Sequence, residues 1–238
     1  LDALDYAKAH PDEQVAFLSV GFETTVPASC LAVDTAKAEG VENFSLLTAN
    51  KTMPNAYQAL IGSADAFLYP GHVNAITGNA VCRELCEKHG VSGVVAGFTA
   101  SELLTALAVT VKLLQEGKPF FRNCYPRVVR EEGNPAAQAL VRSVMEPCDS
   151  EWRGLGMIPL SGMKLREEYA AYDARLKFAL PPMTGRVNPA CRCGDVLRGV
   201  LRPDECPLFS RACSPENPVG PCMVSSEGSC AAYYKYLR

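Results

Sequence analysis

Long hydrophobic runs are missing from this sequence. No uncharged apolar stretch approaches the roughly 18 residues that span a bilayer, so no membrane partner is expected. An excess of one charge is missing as well: 23 Lys and Arg against 26 Asp and Glu leave a formal net charge of −3. That balance gives no electrostatic reason to expect nucleic acid or anionic lipid as a partner. Internal repeats and low-complexity segments are absent, and a chain with 48% hydrophobic and 21% charged residues is not disordered, collagen-like or coiled coil. Paired cysteines separated by two to four residues, the knuckles of structural zinc sites, are absent from the last 48 residues.

Cysteine itself is abundant. The chain has 11, five spread over residues 1–190 and six crowded into the tail (Cys191, Cys193, Cys206, Cys213, Cys222, Cys230). An odd number excludes complete internal pairing, and a reducing cytoplasm fits best. Upstream, Cys82 and Cys86 sit four apart in a helical-looking segment and read as packing thiols. Six cysteines in a short tail point instead to a metal centre, because thiolates are the ligands of zinc and of iron–sulfur clusters. The spacing argues mildly against zinc, and the prolines at 203, 207, 215, 218 and 221 suit a rigid loop wrapped around a cluster.

Strands and helices alternate through the first part of the chain. After an opening helix ended by Pro11, strands are expected at Val15–Val20, Phe44–Thr48, Ala66–Tyr69 and Val91–Phe98. Helices are expected up to Glu39, over Pro54–Ile61, up to His89 and over Ser101–Gln115, the last capped by Thr99 or Ser101. Asn134–Met145 reads as one more helix, opened by Asn134 and Pro135. Lys164–Tyr172 reads as a charged helix, Pro181-Pro182 as a break, and Ser225–Tyr236 as a closing helix capped by Ser225 or Ser226. The fold class is α/β: a parallel sheet covered on both faces over residues 1–147, then a small loop-rich domain over 148–238.

Such sheets bind ligands at the carboxyl ends of their strands, and two strand-end loops carry chemistry. In Gly21-Phe22-Glu23-Thr24-Thr25 the glycine allows a sharp turn, the threonines can cap the next helix, and Glu23 is held beside its free N–H groups. The loop Pro70–Gly78 carries His72, a possible acid, base or ligand near neutral pH, and Asn74. If both strands share one sheet, Glu23 and His72 face one cleft.

Those two loops, together with Trp152-Arg153-Gly154-Leu155-Gly156, Cys191-Arg192-Cys193-Gly194-Asp195 and the run from Asn217 to Gly228, resemble the HypD family of hydrogenase maturation factors. The resemblance covers essentially the whole chain, in the family's order. The family's cluster pattern, C-x14-C-x6-C-x16-C, is met by Cys191, Cys206, Cys213 and Cys230. The resemblance therefore implies that these four hold a 4Fe–4S cluster, with Cys193 and Cys222 left as a redox-active pair beside it. It implies a scaffold and electron-relay role in nickel–iron hydrogenase maturation, with HypC and HypE as partners and the hydrogenase large subunit served indirectly. Glu23 and His72 carry over as candidate residues of the iron-assembly cleft.

The family's Cys-Gly-Thr-His-Glu and Gly-Pro-Gly-Cys-Pro-Val-Cys motifs do not occur here. The expectation is a fragment holding the middle and cluster domains, with the ligands of the assembly-site iron in the absent N-terminal domain. Two rival functions are a stand-alone thiol–disulfide oxidoreductase using the cluster and the Cys193/Cys222 pair, and a zinc-stabilised interaction module.

Overall fold

Alternating strands and helices run from the start of the chain to residue 123. The structure, a computed structural model, describes residues 1–181 and 188–237. Helix α1 (Asp2–Ala9) leads to β1 (Val15–Ser19), α2 (Val26–Glu39), β2 (Phe44–Thr48) and α3 (Met53–Ala59). Next come β3 (Phe67–Pro70), α4 (Gly71–Thr77), α5 (Ala80–His89), β4 (Gly93–Ala96), α6 (Ala100–Leu114) and β5 (Phe121–Asn123). All five strands pair in parallel, as buried β-rich runs separated by helices require. Helix α6 is capped by Thr99: its Oγ1 accepts from Glu102 N at 3.3 Å, while Glu102 Oε2 accepts from Thr99 N at 3.0 Å.

The strands do not form one sheet. They make two, with orders β1-β2 and β3-β4-β5. Hydrophobic pattern identifies a strand without naming its neighbour, so the single sheet expected from alternation is corrected here. In the three-stranded sheet, Val95 packs with Tyr69, Leu85 and Phe121 on one face. Its neighbours Val94 and Ala96 pack with Ala106 of α6 on the other, as the two-residue period demands. The two-stranded sheet packs Phe44 and Leu46 of β2 against Val33 and Ala36 of α2 and Leu4 of α1.

Three further expectations change. The Pro70–Gly78 loop is mostly helix, α4, because Asn74 is buried and its Nδ2 donates to Gly78 O at 3.0 Å, closing the helix where Gly78 takes φ 78°. After α7 (Pro135–Val144) come β6 (Met145–Trp152) and β7 (Gly156–Leu165), paired with each other. Lys164 and Leu165 thus lie in a strand, with Met163 and Leu165 buried on either side of exposed Lys164, and only Glu167–Tyr172 turns, as a 3-10 helix before α8 (Ala174–Lys177). The closing helix is also shorter than expected: it begins at Ser229 with Gly228, not Ser225 or Ser226, at its cap position, and a separate short helix, α10 (Pro221–Val224), precedes it. Pro182 of the expected proline break lies outside the described residues.

The chain divides into two compact units. One comprises Leu1–Gln58, Asp65–Ser150 and Pro159–Pro181; the other comprises Ala59–Ala64, Glu151–Ile158 and Pro182–Arg238. The second contains α9 (Cys193–Leu197), α10 and α11 (Ser229–Tyr236), with a core made largely of cysteine: Cys193, Cys213, Cys222 and Cys230 are buried with Val196, Met223 and Ala231. Among the described residues, no helix is long and apolar enough to cross a membrane.

Candidate functional site

In the second unit the tail cysteines, up to 39 positions apart in sequence, meet. Cys191, Cys193, Cys206, Cys213, Cys222 and Cys230 all line one small cavity of about 20 Å³, space for about one water. Glycines make their approach possible. A Cβ on Gly220 would lie 2.4 Å from Cys191 Sγ, so no larger residue fits there without displacing that sulfur. Gly154 and Gly194 bring the Trp152–Gly156 turn against the start of α9, with Cys193 Sγ at 3.2 Å from where a Gly154 Cβ would be. Beside them, Asp195 is bonded to Arg192 and Arg198, which hold its carboxyl below the usual range.

Cys193 and Cys222 line this cavity with Cys191 and Cys230, and these neighbours act on their thiols. Burial, with the charge of Cys191 next, pushes the Cys193 thiol up to about 11. The hydrogen bond to Cys230, followed by burial, raises Cys222, and that same bond lowers Cys230. Val219 N–H donates to Cys213 Sγ at 3.4 Å, the kind of bond that stabilises a metal-bound thiolate.

In donor chemistry this set suits a thiolate-ligated metal centre: six sulfurs line one cavity, with apolar Leu208, Phe209 and Met223 beside them. Among the described residues, no three His, Cys, Asp or Glu side chains converge to hold a single ion. Ligands of a cubane cluster do not share one point, since each thiolate binds its own iron. All eleven cysteines are free thiols. Upstream, burial drives Cys30 up to about 12 and Cys82 up to about 11, so both stay protonated and act in packing.

In the first unit, Gly21 makes the turn after β1; a Cβ there would lie 2.2 Å from Thr25 Oγ1. That hydroxyl donates back to Phe22 O at 3.0 Å, so Thr25 occupies the cap position of α2 without capping it through its side chain. The turn carries Glu23 inward. Its Oε1 accepts from Met53 N, at the start of α3, at 2.6 Å, and burial raises its carboxyl above the usual range. Glu23 lines a cavity of about 470 Å³ together with Thr52, Asn55, Ile76 and Thr77. His72 is not part of that wall. It stands exposed in the first turn of α4, its ring 4.8 Å from the ring of Phe98. Asn74, one turn from the cavity residues Ile76 and Thr77, holds the end of α4 and donates to Cys82 Sγ at 3.4 Å.

Sequence reading overlooked the polar residues behind these loops. Ser19 Oγ, at the end of β1, lies 2.7 Å from Ser29 Oγ and donates to Asn50 Oδ1 at 2.6 Å, and Thr48 donates to the same oxygen at 2.9 Å. Asn50 is almost wholly buried just past β2, at the same sheet end as Glu23. Its position after a strand was the one available signal.

Comparison with known proteins gives a consistent result. The profile of the HypD family, described as "Hydrogenase formation hypA family", matches residues 1–237. The chain is 40% identical over 247 residues to the hydrogenase expression/formation protein HupD of Azotobacter chroococcum mcd 1, covering all of this chain and 65% of that protein. It is 40% identical over 248 residues to the hydrogenase maturation factor HypD of Cupriavidus necator, and equally to that of Azotobacter vinelandii, with the same coverage. The chain thus spans about two thirds of the length of these curated relatives. It belongs to the HypD family.

Proposed function

From this membership we propose that the chain serves nickel–iron hydrogenase maturation as an iron–sulfur scaffold and electron relay, acting with HypC and HypE in the cytoplasm. One observation carries the reading: six cysteines, scattered over the tail, line a single cavity. Cys191, Cys206, Cys213 and Cys230 would hold a 4Fe–4S cluster, in the spacing the family uses. When bound, such a cluster supplies one-electron transfer.

The protein's own residues provide the rest. Gly220 leaves room for Cys191 Sγ, and Val219 N–H bonds Cys213 Sγ. Cys193 and Cys222 line the same cavity and would remain as thiols. Oxidised together they form one disulfide, releasing two electrons and two protons to an acceptor. The iron on which ligands are assembled is cargo in this scheme, and Glu23 and His72 are candidates for handling it.

Metal and sulfide analysis of the chain purified without oxygen tests the proposal. About four iron and four sulfide per chain are expected; one zinc without sulfide overturns it. Cys206→Ser should abolish the cluster, whereas Cys222→Ser should spare it and block electron relay. Equal effects of the two would refute the division of the six cysteines.

The placement of Cys193 and Cys222 on one cavity also favours a second reading, thiol–disulfide exchange without hydrogenase partners. Turnover of a protein disulfide by the isolated, reduced chain would support it, and no turnover under anaerobic conditions would dismiss it.

A further inference from the structure

The cavity beside Glu23 has the size and character of a small-molecule site. Its volume is about 470 Å³, and Val26, Ile76, Val141 and Met163 give it largely apolar walls. Glu23 is only 7% exposed. One carboxyl oxygen is used by Met53 N, and the other, Oε2, is buried without any hydrogen-bond partner. No Lys, Arg or His among the described residues forms an ion pair with it. A buried acceptor left unmade is costly, and a buried charge without a partner costs more.

The other polar groups in this wall offer acceptors as well. Asn55 spends its Nδ2 on Pro159 O at 2.8 Å, which leaves Oδ1 for a further donor. Gln138 spends Nε2 on Ile76 O and Glu132 O, at 2.7 and 2.8 Å. Its Oε1 takes a long 3.4 Å bond from Arg142, an exposed residue whose charge sits in water and is screened by salt. Arg142 and the hydroxyls of Thr52 and Thr77 also line the cavity, yet among the described residues Glu23 Oε2 has neither a hydrogen-bond donor nor an ion-pair partner.

We propose that this cavity binds a small organic cation, an amidinium or ammonium group on an apolar body, with Glu23 Oε2 as its counter-ion and Asn55 Oδ1 as a second acceptor. A cation gains more here than a neutral amide, because it compensates the charge as well as the hydrogen bond. Anions are excluded by the same carboxylate. This site lies wholly within the first unit and does not depend on the cluster, so loss of the cluster leaves it intact, although it shares Glu23 with the proposed handling of iron.

Calorimetric titration of the full chain with benzamidine, benzamide and benzoate tests it. Benzamidine should bind, benzamide about ten-fold more weakly, and benzoate not at all at about 10 mM. Glu23→Gln should weaken benzamidine at least about ten-fold without improving benzoate. Asn55→Ala, which leaves the Glu23 turn intact, should weaken benzamidine as well and provides the check if the Glu23 variant fails to fold. No benzamidine binding, equal binding of benzoate, or unchanged affinity in both variants would overturn the proposal.

Discussion

Gly154 and Gly194 face each other backbone to backbone. A Cβ on Gly154 would lie 2.7 Å from Gly194 Cα, and one on Gly194 would lie 2.3 Å from Gly154 O. Gly154 also takes φ 85°, a conformation that L side chains rarely adopt. Two segments far apart in sequence thus meet through residues without side chains, directly beside Cys193.

Alanine at either position should push the Trp152–Gly156 turn away from α9. The expected cost is about 1–3 kcal/mol, as for overpacking elsewhere, with an additional strain at Gly154. Urea unfolding measures the loss, and iron content should fall with it. Unchanged stability in both variants would mean that the two segments are free to separate.

Glu23 gives a pH dependence of definite sign. Burial raises its folded-state pKa above the 4.5 of a free carboxyl. The folded chain therefore holds a proton that the unfolded chain has released, and Glu23's contribution is full below 4.5 and lost as pH rises through the folded value. Glu23→Gln carries no such charge. Its stability should improve relative to the parent chain as pH is raised from about 4 to 7, measured by denaturation midpoints at each pH. A constant difference across that range would place the carboxylate in a solvated or paired environment.

His72 and Asn74 are two residues apart and should behave oppositely. Asn74 is buried, and its amide closes α4. Asn74→Ala should cost about 1–3 kcal/mol by removing a buried amide that bonds Gly78 O and Cys82 Sγ. His72 is exposed against Phe98, and His72→Ala should change stability by less than about 0.5 kcal/mol. Any loss of hydrogenase maturation in His72→Ala then reports chemistry, checked by a complementation assay alongside the melting temperature.

Much of the first unit was legible in the sequence. Short apolar runs such as Phe44–Thr48 and Val91–Phe98 locate strands because burial on both faces tolerates no charge. Thr99 with Glu102, and Asn134, announce helix starts because their side chains answer unpaired N–H groups nearby in the chain, and Pro135 does so because it has no N–H to leave unpaired. Lys164 misled for the converse reason. Its charge is compatible with a helix or a strand, and only the burial of Met163 and Leu165 on either side shows the two-residue period. Gly71 looked like the start of a loop, yet it begins a helix, packed so that a Cβ would lie 2.5 Å from the Tyr125 ring and 2.6 Å from Ala96 O.

By itself, the sequence determined the strand and helix alternation, the family signature and the crowding of cysteine into the tail, all of which are set by residue type and near-neighbour spacing. Tertiary structure decided which strands share a sheet, that Glu23 turns inward while His72 stays at the surface, and that six tail cysteines surround one cavity. Those outcomes depend on contacts between residues distant in the chain, and on glycines whose absent side chains leave room that no local pattern reveals.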